Sequence, residues 1–325
     1  MAEILVTGAA GFIGSSVAKA LLARGDRVIG VDILSDYYDV SLKQARLAHL
    51  AAQTGFDFHQ MDISDRDRML KLAADYPGIT GIVHLAAQPG VRYSLENPYA
   101  YITANVMGQV VMLEMARALR PGLRHFVYAS SSSVYGANTK TPFAVDDPVN
   151  HPNSLYAATK RTDELFGHTY AHLYGIASTG LRFFTVYGPW GRPDMAPMIF
   201  TRAILAGEPI KVFNHGEMWR DFTYIDDIVA GVIAALDRPP TATPPHAVYN
   251  LGNHKSEKLT DFIAAIEQAI GRKAQMQMLP MQAGDVPATY ADIEATTRDL
   301  GWKPTTPIAQ GIPRFVAWYR DFYGA

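Results

Sequence analysis

The chain has 325 residues, 48% of them apolar and 18% charged, with a formal net charge of −2 and no cysteine. That length and apolar content suit two lobes around a sizeable core. The near-balanced charge excludes the basic field that drives nucleic-acid binding, and the missing cysteines exclude disulfides and thiolate chemistry.

The first half alternates short apolar runs with helical patterns. Ile4–Thr7 reads as a strand, Ser15–Arg24 as an amphipathic helix and Arg27–Asp32 as a second strand. Phe56–Met61 and Ile79–Leu85 read as further strands, followed by a long helix over Tyr99–Leu119. His125–Ala129 is a fifth strand, Ser154–Tyr174 another helix and Ala177–Phe183 another strand. Such alternation implies an α/β fold with a parallel, doubly wound sheet of the Rossmann kind. The second half is richer in Pro and Gly, with loops at Gly188–Pro197, Asn214–Met218 and Pro239–Pro245. We read residues 1–179 as the first domain and 180–325 mainly as a smaller α/β lobe closing over the cleft. The chain is expected to return to the sheet within 222–251, at Phe222–Tyr224 and Ala247–Leu251.

Gly8-Ala-Ala-Gly11-Phe12-Ile13-Gly14 joins the first strand to the first helix. A pyrophosphate must approach the backbone closely at such a turn, and glycine alone permits this without a Cβ clash. The helix N-terminus then offers free N–H groups and a positive dipole to the phosphates. Asp32 ends the second strand, where an acidic side chain accepts hydrogen bonds from the adenosine ribose and repels a 2′-phosphate. NAD is therefore the expected cofactor. Asp62-Ile63 could hold the adenine edge, and the small run Leu85-Ala86-Ala87 lets a dinucleotide lie flat.

Tyr156 and Lys160 stand four residues apart on one helix face. A phenol is a poor base at neutral pH, but a neighbouring ammonium and a cationic nicotinamide ring favour its ionised form. Lys160 would also hold the nicotinamide ribose. Ser130-Ser131-Ser132-Ser133 follows the fifth strand, at the carboxyl ends where ligands bind in parallel sheets. These hydroxyls are expected to point into the cleft.

With those residues in hand, the chain resembles the extended short-chain dehydrogenase/reductase family, and within it the nucleotide-sugar 4-epimerases. The resemblance runs through His84-Leu85-Ala86-Ala87, Arg220-Asp221-Phe222 and Gly284-Asp285-Val286-Pro287. More narrowly, Gln88-Pro89-Gly90-Val91-Arg92-Tyr93-Ser94 and Gly188-Pro189-Trp190-Gly191-Arg192-Pro193-Asp194 look like the UDP-glucuronate 4-epimerases. The resemblance implies that Ser131 is the catalytic hydroxyl. It implies that Arg220 meets the diphosphate of a UDP-sugar, Asp285 the uridine ribose, and Lys211-Val212-Phe213 the uracil. Thr185 stands where UDP-galactose 4-epimerases usually carry Asn, which argues against a neutral hexose. The implied reaction is removal and return of hydride at the sugar C4 by way of a 4-keto intermediate. A homodimer through the helices at Tyr99–Leu119 and Ser154–Tyr174 is also implied.

A 4-keto uronate loses carbon dioxide readily unless its carboxylate is held. A bidentate arginine suits that task. Arg192 is the first candidate and Arg92 the second, with Ser132, Ser133 and Thr185 as further donors. Related decarboxylases carry a carboxylate just after the catalytic Ser or Thr, and here Ser132 and Ser133 stand instead. Epimerisation is favoured over a UDP-glucuronate decarboxylase, a UDP-galactose 4-epimerase or a non-enzymatic NAD-binding protein. No metal, nucleic-acid or membrane partner is expected. No uncharged apolar run approaches the roughly 20 residues that cross a bilayer. The start of the chain lacks the features of a signal peptide, so a cytoplasmic location is expected.

Overall fold

The computed structural model describes residues 1–282 and 285–325. Its first elements are β1 (Glu3–Thr7), α1 (Phe12–Ala23), β2 (Arg27–Asp32), α2 (Val40–Ala51), β3 (Phe56–Gln60), α3 (Arg66–Asp75) and β4 (Gly81–His84). Short helices α4 (Tyr93–Glu96) and α5 (Pro98–Tyr101) lead into a π-helical stretch at Ile102–Met107 and α6 (Gly108–Ala118). Then come β5 (His125–Ser131), a 3-10 turn at Ser132–Tyr135, α7 (Leu155–Tyr174), β6 (Ser178–Phe183), β7 (Thr185–Tyr187) and α8 (Ala196–Ala206). The remainder is β8 (Pro209–Val212), β9 (Trp219–Tyr224), α9 (Ile225–Leu236), β10 (His246–Leu251), β11 (Ser256–Lys258), α10 (Leu259–Ile270), β12 (Gln275–Met278), α11 (Glu294–Leu300) and α12 (Ile308–Tyr323).

Seven parallel strands form the main sheet in the order β10-β6-β5-β4-β1-β2-β3. Strands covered on both faces read as continuous apolar runs, because alternate side chains enter opposite cores. Ile4 and Val6 join one core while Leu5 joins the other, and Val83 and Ile82 divide in the same way. The first core continues through α9 into the later elements, taking in Phe222, Phe262 and Phe315. Edge strand β3 is only half-buried along most of its length.

The expected strand at Ala247–Leu251 lies in the main sheet as part of β10, beside β6. Phe222–Tyr224 does not. It belongs to β9, which pairs with β7 and β11 in a separate three-stranded sheet. A short apolar run satisfies either sheet equally well, so periodicity carried no information about the partner. Helices α2 and α3 lie where the sequence reading assigned nothing. Each begins at an aspartate whose side chain accepts a first-turn N–H, Asp39 from Ser41 and Asp65 from Arg68. The single helix expected at Tyr99–Leu119 is interrupted by the π-helical stretch. Among the described residues no helix is long and apolar enough to cross a membrane.

Candidate active site

The strand order reverses between β1 and β4, and a crevice opens beyond their carboxyl ends. It is part of a cavity of about 1230 Å³. Sites for drug-sized ligands run to roughly 300–1,000 Å³, so the space exceeds what one such ligand needs.

The glycine turn is built for close approach. Gly8 has φ +71°, and a Cβ there would lie 2.9 Å from the Ala86 amide nitrogen at the end of β4. A Cβ on Gly14 would overlap the Gly8 carbonyl oxygen. Gly11 caps α1 with no side-chain acceptor, which leaves the first N–H groups, around Phe12 and Ile13, for an anion. Asp32 is buried and fixed, accepting the Ala10 N–H at 3.1 Å on one oxygen and the Leu34 N–H at 2.8 Å on the other. Each oxygen keeps a lone pair for a ribose hydroxyl. Asp62 Oδ1 accepts both the N–H and the hydroxyl of Ser64, and Ile63, Leu85, Ala86 and Ala87 line the same cavity. A glycine cradle that any Cβ would fill, beside a fixed acidic group, fits NAD.

Helix α7 begins at Ser154, whose hydroxyl accepts the Ala157 N–H and so sets the start of the turn that carries Tyr156. The Tyr156 ring meets Tyr101 edge-on at 6.1 Å. Lys160 is buried; its Nζ donates to the Ala129 carbonyl and to Asp163 Oδ2, each at 3.0 Å. Ser131 Oγ accepts the Ser133 N–H at 3.2 Å, capping the 3-10 turn, and donates to Ser133 Oγ at 3.1 Å. Ser131, Ser132 and Ser133 all line the cavity. The hydroxyl of Ser130 departs from the expectation, because it donates at 2.6 Å to Glu164 Oε1 beneath the site. Burial alone would raise Glu164, but Arg182, Ser130 and Arg161 hold it below the usual carboxylate range.

Thr185 and Arg192 also line the cavity. Arg192 grips Asp194 with both arms of its fork, at 3.1 and 2.5 Å, and the Tyr37 hydroxyl donates to the same carboxylate at 3.3 Å. Burial and Asp194 push the Tyr37 phenol up to about 12. Burial pulls the Arg192 guanidinium down, but Asp194, Tyr37 and Tyr156 together raise it. Arg192 and Tyr156 line the same cavity. Arg92 sits elsewhere: it pairs with Asp285 Oδ2 at 3.1 Å, lies 5.3 Å over the Phe213 ring, and acts on Arg220. Burial lowers the Arg220 guanidinium, with Asp285 opposing.

All but one of the residues given a site role from the sequence line this cavity. The exception is Val212. Its side chain is fully buried in the core beside β12, while its neighbours Lys211 and Phe213 flank the cavity. In a strand, side chains alternate, so three consecutive residues cannot share one face. Gly284 lies outside the described residues.

Asn105, Lys43 and Arg46 are among the polar residues that escaped the sequence reading. Asn105, on the π-helical stretch, accepts the Gln88 N–H at 2.7 Å and donates to Thr159 Oγ1 at 3.0 Å, tying the end of β4 to α7. Lys43 lines the cavity near Asp32, with its Nζ on the Ser35 carbonyl at 2.7 Å. Arg46 joins the Ala10 carbonyl of the glycine turn to the Trp190 carbonyl, docking the Arg192 loop on that turn. The partners of Asn105 and Arg46 are remote in sequence, and only the position of α2 just after Asp32 hints at Lys43 and Arg46.

The profile of the "NAD dependent epimerase/dehydratase family" matches residues 4–252. The chain belongs to this family. UDP-glucuronate 4-epimerase 4 of Arabidopsis thaliana is 48% identical over 98% of this chain and 76% of that protein. The probable UDP-glucuronate 4-epimerase of Rhizobium meliloti is 47% identical, covering 98% of this chain and 97% of the other. Among solved structures, UDP-glucuronic acid 4-epimerase from Bacillus cereus, in complex with UDP-glucuronic acid and NAD, superposes with a TM-score of 0.91. It is 34% identical and covers 99% of this chain and 100% of its own. The sequence-derived fold, family and cofactor stand.

Proposed function

We propose that this chain interconverts UDP-glucuronate and UDP-galacturonate, inverting C4 of the sugar through a 4-keto intermediate while keeping the carboxylate. One observation carries the choice of a uronic acid. An arginine with a bidentate carboxylate grip, Arg192, lines the same cavity as Tyr156, and serines rather than carboxylates follow Ser131.

Residues 1–179 hold the dinucleotide, at Gly8, Gly11, Gly14 and Asp32, and the later lobe holds the UDP-sugar. Bound there, NAD supplies a reversible hydride acceptor for the sugar C4. Tyr156 takes the C4 hydroxyl proton and later returns it, and Ser131 shares that proton. Lys160 keeps positive charge beside the phenol. Arg220, Asp285, Phe213 and Arg92 anchor the nucleotide, so the sugar can turn over without leaving. Arg192, with Thr185, Ser132 and Ser133, keeps the C6 carboxylate charged and out of alignment with the C4 ketone, which suppresses decarboxylation.

NMR of purified protein with UDP-glucuronate and no added NAD tests this directly. The expected result is UDP-galacturonate at a near-even equilibrium. UDP-xylose or a 4-keto pentose as the main product would identify a decarboxylase instead.

The same protein is proposed to act as a homodimer. Tyr99, Ile102 and Met107 around the π-helical stretch and Leu165 and Leu173 on α7 are all exposed, Tyr99 to 81%. An exposed apolar patch shared by adjacent helices marks an interface, and two such pairs would pack as four helices. Changing Tyr99 and Leu173 together to Glu is expected to yield a folded monomer by sedimentation velocity. A dimer of unchanged affinity would reject this face.

A further inference from the structure

Asp163 has no part in the reaction described above, yet it faces the same way as Lys160 on α7, three residues on. It is 1% exposed. Its Oδ2 accepts the Lys160 ammonium at 3.0 Å, and its Oδ1 has no partner among the described residues. An ammonium has three N–H donors. Two are taken, by Asp163 and the Ala129 carbonyl, which leaves one for the cavity.

The surroundings isolate this pair. From β5, the Tyr128 phenol is pushed well up by burial, with Glu164 and Asp163 adding to it, and it bonds His246 Nε2 at 2.9 Å. His246 is itself pulled down to about 4 by burial and His168, and so is neutral. From β4, buried His84 is pulled down to about 3, helped by the Lys160 charge, and is neutral too. Glu164, next along the helix, is matched by Arg182 and Arg161. Lys160 is thus the cation that answers Asp163. Burial pushes the Asp163 carboxyl up to about 6, with Lys160 opposing.

We propose that Asp163 is a positioning residue that fixes Lys160 Nζ and cancels part of its charge, setting the strength of the positive field at Tyr156. Tyr156, Lys160 and Asp163 follow one another at four and then three residues, so all three share a helix face. Removing a negative charge at the far end of that row strengthens the field at the near end. From Coulomb's law at an effective dielectric near 20 and a separation near 10 Å, the effect is about one pH unit.

The inference rests on the assignment of Tyr156 and Lys160, and its test does not need turnover. Phenolate absorbance is titrated in the intact protein, and the step due to Tyr156 is isolated by subtracting the matching Tyr156→Phe protein. In Asp163→Asn, which keeps shape and one acceptor, that step is expected to move about one unit to lower pH. The acid limb of kcat/KM for UDP-glucuronate is expected to move with it. Asp163→Ser, neutral and smaller, is expected to shift the absorbance step the same way if the Asn protein folds poorly. An unmoved step, or one displaced to higher pH, in a folded variant overturns the proposal. A wild-type protein that titrates as expected but leaves UDP-glucuronate unchanged overturns the substrate assignment and not this one.

Discussion

Tyr156→Phe is expected to lower turnover of UDP-glucuronate by at least 10²- to 10⁴-fold, the range that a positioned acid–base group contributes, while the purified protein keeps its NAD. The reasoning separates the hydroxyl from the ring. The ring packs edge-on against Tyr101 at 6.1 Å, and phenylalanine preserves that contact. The start of α7 is set by the Ser154 cap, and Lys160 is held by Ala129 and Asp163, so neither depends on the lost oxygen. The proposed dinucleotide cradle is built from other residues, Gly8, Gly14 and Asp32, none of which bonds the Tyr156 hydroxyl. Released NAD, measured after denaturation, should match wild type. A variant within tenfold of wild-type turnover would show that another group takes the proton.

What could be read from the sequence divides along a physical line. The glycine turn, Asp32, and the Tyr156/Lys160 pair were legible because each is a local device: a backbone approach, a strand end, one helix face. Their spacing alone carries the geometry. The serine run was legible only in part. Ser131 and Ser133 turn in toward the cavity, but Ser130 is drawn to Glu164, and that bond depends on Arg182 from β6. Val212 was misplaced because one segment was given one face, against the alternation of a strand. Asn105, Arg46 and Asp163 stayed hidden for a third reason. Asn105 and Arg46 take their meaning from partners that only the folded sheet brings close, as when Arg46 reaches both Ala10 and Trp190. Asp163 is close to Lys160 in sequence, but only its burial makes the pair matter.

Arg192→Ala is expected to raise KM for UDP-glucuronate on the order of 10²-fold, since a charge-assisted bond contributes about 1.5–3 kcal/mol and each 1.4 kcal/mol is a factor of ten. It should also release some substrate as decarboxylated product, because the 4-keto sugar would keep its carboxylate free to align with the ketone. Arg192→Lys should not restore KM, because a point charge cannot reproduce the planar fork. The structure adds a competitor. Asp194 fills the fork at 3.1 and 2.5 Å and takes a hydrogen bond from Tyr37, so a uronate exchanges one carboxylate for another. Both side chains are only partly exposed, at 22% and 28%, and the pair is bidentate, so the uronate gives Arg192 back what it takes from Asp194. Asp194→Ala removes that competitor and is expected to lower KM for UDP-glucuronate. A neutral hexose has no charge to offer Arg192 and would leave the Asp194 pair intact. If Arg192→Ala left both KM and product unchanged, Asp194 would be the only carboxylate this arginine serves, and the uronate assignment would fall with it.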